Sequence, residues 1–260
     1  MTQTQWNTFK NFRDTFKIQC TVWNQYAKEL VPLQKKAADK DTPPYTIETP
    51  IVYNYSLDEI TPQSNIKLII IGDNPGKNEQ LTSNQRYLVG QAGKIADGFF
   101  RRNPELNIDF HHNVIILNKT PIHTAKTLHL KYLIKNGSPD IVQFLRESQI
   151  WMAEKTVQLH KELTDESPSI FPELWLVGYS EIKDKGIFVD YRNSFLSEYK
   201  TENTGMHAAW NNVYVYQHFS MNRFSIDLTA FQALHTELNL MQALQQLGIK
   251  HKNETFPSRN

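Results

Sequence analysis

The sequence has little cysteine, no excess of charge of either sign and no long apolar run. Its 260 residues include one cysteine, Cys20, which excludes a disulfide framework, a multi-cysteine metal site and an iron–sulfur cluster. The formal net charge is +1, so nucleic-acid binding would need a local basic patch. No stretch approaches about 18 uninterrupted apolar residues, and the first residues lack the apolar core of a signal peptide. We therefore expect an intracellular, cytoplasmic protein with no membrane association, no metal and no other cofactor.

Two common phosphate-binding motifs are also missing. The segment IIIGDNPGKNEQ, residues 69–80, joins an apolar run to a glycine-containing loop. A P-loop needs GxxxxGK followed by Ser or Thr. Here the second glycine comes one residue early, and Asn78 stands where the hydroxyl should be. The dinucleotide fingerprint GxGxxG is absent as well. Taken alone, DNPG predicts only a tight turn, because Asn, Pro and Gly are turn formers.

Short apolar runs alternate with helical patterns along the chain. Strands buried on both faces are predicted at residues 67–72, 113–118, 174–179 and 213–218. Helices are predicted at residues 5–38, 91–101, 138–163, 190–199 and 225–248. This order predicts an α/β fold, a three-layer α/β/α sandwich with a central four-stranded, mainly parallel sheet.

The domain organisation follows from the same pattern. Residues 1–65 are expected to form a helical extension and a Pro-rich connection packed on the core. Residues 66–250 are expected to form the α/β domain, and residues 251–260 a polar tail, with fraying from Gly248 onward. A monomer is expected.

Polar residues follow the predicted strands at one edge of the sheet. Ligands of such sheets bind outside the carboxyl ends of the strands. The residues at these ends are the GDNPG loop, Asn118, Gly178 and His218. We therefore expect the functional site at this edge.

Three of these strand ends, in order, resemble the signatures of the uracil-DNA glycosylase superfamily. GDNPGKNE with YLVGQAGK, residues 72–79 and 87–94, is similar to the first signature. VIILNKTPIHT, residues 114–124, resembles the second strand, and VYVYQHFSMN, residues 213–222, the closing signature. The resemblance covers about residues 66–245. It implies a monofunctional DNA glycosylase that flips uracil or a related deaminated base out of DNA and hydrolyses its bond to deoxyribose.

The resemblance also implies roles for individual residues. Asn74 falls at the position of the water-positioning residue, and His218 at that of the histidine that donates to the base carbonyl. Asn118 falls at the base-reading asparagine, whose amide matches the ring N–H and the adjacent carbonyl of uracil. Asp73 is a candidate general base, with a turn or helix cap as the alternative.

The sequence departs from the superfamily pattern in two places. Leu88 stands where a phenylalanine usually stacks on the uracil, and the neighbouring Tyr87 could replace it only through a shifted loop. Phe219 replaces the proline of the closing signature. Met221 is the candidate wedge that fills the gap left by the flipped base. The other residues expected to contact DNA are Lys94, Ser220, Asn222 and Arg223.

A group of basic residues follows the second strand and has two interpretations. It could track a phosphate backbone, or it could form a solvated helix face. Its members are Lys119, His123, Lys126, His129 and Lys131.

Two further functions stay open at this point. The first is a catalytically inactive member of the superfamily that binds nucleic acid or a free base, an alternative motivated by Leu88 and Phe219. The second is an unrelated α/β enzyme acting on a nucleotide or a small phosphate ester.

Overall fold

The central element of the protein is a four-stranded sheet in which every strand runs parallel to its neighbours. The structure, a computed structural model, describes residues 1–165, 171–201 and 205–257. The sheet has the order β2-β1-β3-β6 and consists of β1 (Leu68–Gly72), β2 (Val114–Asn118), β3 (Glu173–Val177) and β6 (Val213–Tyr216). A separate antiparallel pair is formed by β4 (Lys200–Thr201) and β5 (Gly205–Met206).

Helices flank the central sheet, which gives the expected three-layer α/β/α sandwich. The first four are α1 (Gln3–Trp23), α2 (Ala27–Ala38), α3 (Gln91–Arg102) and α4 (His129–Asn136). The others are α5 (Pro139–Asp165), α6 (Val189–Tyr199), α7 (Arg223–Leu234) and α8 (Leu240–Thr255). Within the described residues, none of them carries an apolar stretch long enough to cross a bilayer.

The sheet strands are apolar because both of their faces are covered. Nearly all of their residues are buried, and Trp175 shows how one face is packed. Its ring stacks on Phe100 of α3 at a centroid distance of 5.6 Å and on Phe224 of α7 at 5.9 Å. Burial on both faces explains the continuous apolar runs that identify these strands in the sequence.

The N-terminal helices pack through aromatic side chains. A capping box between Thr2 and Gln5 starts α1. Further along this helix, the Phe16 ring stacks on Trp151 of α5, with centroids 5.8 Å apart. Tyr26, just after α1, stacks on Phe144 of α5 at 4.4 Å. These two ring contacts pack α1 and the turn that follows it against α5.

Two predicted helices are interrupted, and one helix was not predicted. The helix predicted at residues 5–38 is interrupted by a 3₁₀ turn at Asn24–Tyr26. The helix predicted at residues 225–248 is two helices, α7 and α8, because Asn239 caps a new helix with a capping box. Helix α4 was not predicted at all.

The prediction of a frayed tail after Gly248 is wrong for residues 249–257. Helix α8 continues to Thr255, and Lys252 in its last turn is buried. The Lys252 Nζ donates to the Trp210 carbonyl at 3.0 Å and lies 5.0 Å from the centre of the Trp210 ring. The aliphatic stem of a lysine can pack in this way while its ammonium finds a polar partner. The rest of the predicted tail, residues 258–260, lies outside the described residues.

The strand register brings the polar strand ends together. Gly72, the last residue of β1, pairs with Asn118, the last residue of β2. On the other side, β1 pairs with β3, and β3 with β6. The loops that follow all four strands therefore leave the sheet at the same edge.

Candidate active site

A cavity of about 730 Å³ opens at the carboxyl edge of the sheet. The loops that follow β1, β2, β3 and β6 form its walls, together with the start of α3. Of the residues that the sequence places in a site, the structure brings eight to this cavity: Asp73, Asn74, Leu88, Asn118, His218, Ser220, Met221 and Arg223.

Three predicted site residues do not line the cavity. The suggestion that Tyr87 stacks on a base is wrong, because its ring is 1% exposed and its hydroxyl donates to the Val52 carbonyl at 2.5 Å. Lys94 is exposed in the first turn of α3, away from the cavity lining. Asn222 is exposed next to Met221, and both residues have left-handed backbone conformations.

Leu88, not an aromatic ring, lines the cavity on the side of α3. Its backbone is left-handed, with φ of 53°, and a non-glycine residue pays strain for this conformation. The carbonyl of Leu88 packs so closely on α3 that a Cβ on Gly93 would lie 1.4 Å from its oxygen. This contact explains why Gly93, the second glycine of GQAG, has no side chain. It also fixes Leu88 against the helix.

Asn118 lines the cavity and carries an unpartnered donor. Its side chain is 2% exposed, yet its Nδ2 atom has no hydrogen-bond partner among the described residues. The side chain is wedged against Gly72, where a Cβ would lie 2.4 Å from Asn118 Oδ1. Buried amides almost always have partners, so the free Nδ2 points to a ligand that accepts a hydrogen bond.

Asn74 is held by its amide nitrogen. The Nδ2 atom donates to Thr124 Oγ1 at 2.8 Å and to the Ile122 carbonyl at 3.2 Å. Both contacts come from the loop after β2. They turn the amide oxygen of Asn74 away from that loop, and no described residue donates a hydrogen bond to it.

His218 is held in one tautomer by its neighbour Ser220. The backbone N–H of Ser220 donates to His218 Nδ1 at 3.0 Å, and the Ser220 hydroxyl lies 2.8 Å from the same atom. Nδ1 is therefore an acceptor, and the ring proton lies on Nε2. Burial lowers the pKa of His218, the negative charge of Asp73 acts in the opposite direction, and Lys119 adds to the lowering. His218 is thus a neutral imidazole with a donor at Nε2.

Asp73 forms a buried ion pair with Lys119. The Lys119 Nζ donates to Asp73 Oδ1 at 2.6 Å and to the carbonyls of Val177 at 2.5 Å and Gly72 at 3.3 Å. The Thr127 hydroxyl donates to Asp73 Oδ2 at 3.3 Å. Both carboxylate oxygens are occupied, which favours a fixed negative charge over a general base.

Lys119 is a site residue that the sequence analysis placed wrongly. It is 0% exposed, so it cannot follow a phosphate backbone or belong to a solvated face. Burial lowers the pKa of its ammonium, and the charge of Asp73 opposes this shift. It follows Asn118 directly in the chain, but this position alone does not reveal that the side chain is buried.

The two histidines of the same basic group are also buried and engaged. His123 Nδ1 lies 2.9 Å from the Pro75 carbonyl and its Nε2 lies 2.9 Å from the Tyr45 hydroxyl, while burial lowers its pKa to about 4. His129 Nε2 lies 2.8 Å from Asp41 Oδ1. Both interpretations of the basic group therefore fail for these histidines, because each is buried and bonded to another segment of the chain.

Glu79 is a second site residue that the sequence analysis missed. Its carboxylate accepts the Gly76 N–H at 2.9 Å and receives hydrogen bonds from the backbone of Leu88 and Val89. The side chain is 7% exposed, and burial raises its pKa to about 7, against the effect of these bonds. Glu79 thereby links the loop after β1 to the segment that carries Leu88.

Comparison with known proteins adds no family or function. The chain matches no family model and no curated protein. Among the described residues, no group of His, Cys, Asp and Glu side chains could hold a metal ion. The resemblance to the glycosylase superfamily therefore stays a prediction from three short motifs, and the function has to be argued from the cavity.

Proposed function

We propose that the protein is a DNA glycosylase that hydrolyses the N-glycosidic bond of uracil, or of a related deaminated base, in DNA. One observation carries the proposal. A single cavity holds a free amide donor on Asn118, a neutral imidazole donor on His218 and an outward-facing amide oxygen on Asn74. These are a base reader, a stabiliser of the leaving group and a group that orients water.

Asn118 reads the base edge in this proposal. Its free Nδ2 donates to a ring carbonyl of the flipped base. Uracil has a carbonyl at the position where cytosine carries an amino group. A buried donor facing that amino group would stay unpaired, which strongly disfavours cytosine.

His218 stabilises the departing base. As the bond between the sugar carbon and the ring nitrogen breaks, its electron pair leaves with the base, which becomes an anion. The Nε2–H of a neutral imidazole donates to the carbonyl oxygen on which this charge collects. The hydrogen bond from the Ser220 N–H to Nδ1 keeps the ring proton on Nε2.

Asn74 orients the attacking water. Its amide oxygen accepts a hydrogen bond from water, whose oxygen forms the new bond to the cation-like sugar carbon. The water then loses its surplus proton to solvent, since an amide does not take it at neutral pH. Asp73 lies next to Asn74 in the chain, and its ion pair with Lys119 holds the start of this loop in place.

The remaining cavity residues suit a DNA strand. Met221 is 72% exposed at the tip of the loop after β6 and can fill the space that a flipped base leaves. Arg223 lines the cavity mouth, where its guanidinium can contact a phosphate.

The occupied carboxylate of Asp73 favours a second candidate, a superfamily member that binds DNA or a free base without cleaving it. Lys119 and Thr127 occupy both oxygens of Asp73, so the carboxylate next to Asn74 in the chain is not free to accept a proton. An assay of base release from DNA separates the two candidates.

The test is a single-turnover assay on labelled oligonucleotides that carry uracil, hypoxanthine or xanthine, in single strands and in duplexes. Alkali converts each abasic site into a strand break. We expect release by the wild type and a loss of about 100- to 1,000-fold in Asn74→Ala and His218→Ala. His112→Ala, which removes an 80%-exposed histidine, is the matched control and should leave the rate unchanged. DNA binding without release from any substrate would favour the binding module.

A further inference from the structure

The orientation of the Asn74 amide decides what this side chain can do. An amide presents an acceptor at one end and two donors at the other. With the oxygen toward the cavity, Asn74 accepts a hydrogen bond from water and leaves the water lone pairs free for attack. With the nitrogen toward the cavity, it would occupy one of those lone pairs. The groups that set this orientation therefore matter as much as Asn74 itself.

Thr124 has only an acceptor to offer Asn74. Its hydroxyl hydrogen is committed to the Lys126 carbonyl, with an O–O distance of 2.9 Å. The Oγ1 lone pairs then accept the hydrogen bond from Asn74 Nδ2 at 2.8 Å. Thr124 is 2% exposed, so water does not compete for these contacts.

The other neighbours of the Asn74 amide are also acceptors. The carbonyls of Ile122 and Pro75 lie 3.2 Å and 3.4 Å from Nδ2. Thr124 makes the shortest contact, and its backbone N–H donates to the Pro75 carbonyl at 3.2 Å. The loops after β1 and β2 are thus joined around one amide nitrogen.

We propose that Thr124 is a positioning residue for the hydrolysis, because it fixes the Asn74 amide with its oxygen toward the attacking water. This inference rests on the proposed function. It has one consequence that chemical intuition would not give. In Asn74→Asp the new carboxylate oxygen would face the carbonyls of Ile122 and Pro75, so adding a base at this position should lower base release instead of increasing it.

The test compares Thr124→Val with Thr124→Ser. Valine keeps the shape of threonine and removes the oxygen, whereas serine keeps the oxygen. We expect Thr124→Val to lower the single-turnover rate of uracil release about 100-fold at unchanged affinity for uracil-containing DNA. Thr124→Ser should retain the rate within about threefold, since the hydroxyl is what matters.

A double variant separates positioning from a general structural effect. In the Asn74→Ala background, Thr124→Val should cause no further loss, because the group that it positions is gone. An equal loss in both backgrounds would overturn the proposal, and so would a high rate in Asn74→Asp.

Hydrogen exchange of the Asn74 side-chain amide, measured by NMR, gives a readout that does not need activity. Asn74→Ala assigns the signals. We expect slow exchange in the wild type and in Thr124→Ser, and fast exchange in Thr124→Val. Fast exchange in the wild type would overturn the proposal. A wild type that releases no base from any substrate would overturn the proposed function, and the exchange pattern would still decide whether Thr124 orients the amide.

Discussion

The Nζ atom of Lys119 lies 2.6 Å from Oδ1 of Asp73, with the lysine 0% and the aspartate 7% exposed. Through its further bonds to the carbonyls of Gly72 and Val177, this ammonium connects the ends of β1, β2 and β3. The ion pair holds these strand ends together beside the cavity. Because it is buried, the removal of either partner should lower the free energy of unfolding strongly.

Lys119→Met should therefore destabilise the fold strongly. It leaves a buried carboxylate without its cation and takes a donor from the Val177 carbonyl, so we expect a loss of about 3–5 kcal/mol in the free energy of unfolding, measured with urea. Adding Asp73→Asn removes the unpaired charge and should recover part of this loss. A loss below about 1 kcal/mol, as for exposed ion pairs, would contradict the account.

Gly72→Ala should disturb base reading through Asn118. The new Cβ would lie 2.4 Å from Asn118 Oδ1, so the asparagine side chain must move. We expect the rate of uracil release to fall about 100-fold. In the Asn118→Ala background the same substitution should have no further effect on the rate. Additive losses would show that Gly72 acts through the strand and not through Asn118.

The tautomer of His218 can be observed directly. Burial lowers its pKa, and a histidine with a lowered pKa becomes neutral already below its ordinary value of about 6.5. Two-dimensional ¹⁵N NMR at pH 7 should therefore show a neutral ring with the proton on Nε2. A proton on Nδ1, or a charged ring at this pH, would be incompatible with the bond from the Ser220 N–H.

Glu79 should give stability a distinct pH dependence. Its pKa is about 7 in the folded protein and 4.5 is its ordinary value, so the folded state holds the proton more tightly. Its contribution is complete below pH 4.5 and is lost as the pH rises to about 7. Between these limits, the unfolding free energy of the wild type should fall by about 3 kcal/mol relative to that of Glu79→Gln. Parallel curves for the two proteins would refute this assignment.

The sequence was sufficient to predict the four sheet strands and the edge at which the site lies. Parallel strands buried on both faces leave continuous apolar runs, and the polar residues that follow them must meet at one edge. Asn74, Asn118 and His218 therefore reach the same cavity as expected. Their placement follows from topology and needs no detail of packing.

Lys119 and Glu79 could not be found in this way. Charged side chains are exposed in most positions, and only the folded chain shows the partners that let these two be buried. The Tyr87 interpretation failed for a related reason. Its hydroxyl donates to the carbonyl of Val52, which lies 35 residues away in the chain. The sequence around Tyr87 therefore does not indicate this partner.

The most direct test of the central claim is the detection of the free base. Purified protein is incubated with DNA that contains uracil at one position, and the low-molecular-weight fraction is analysed by mass spectrometry. The account predicts free uracil in an amount equal to the abasic sites formed, and none from the His218→Ala variant. Intact DNA with no free base, under conditions where the protein binds it, would contradict the account.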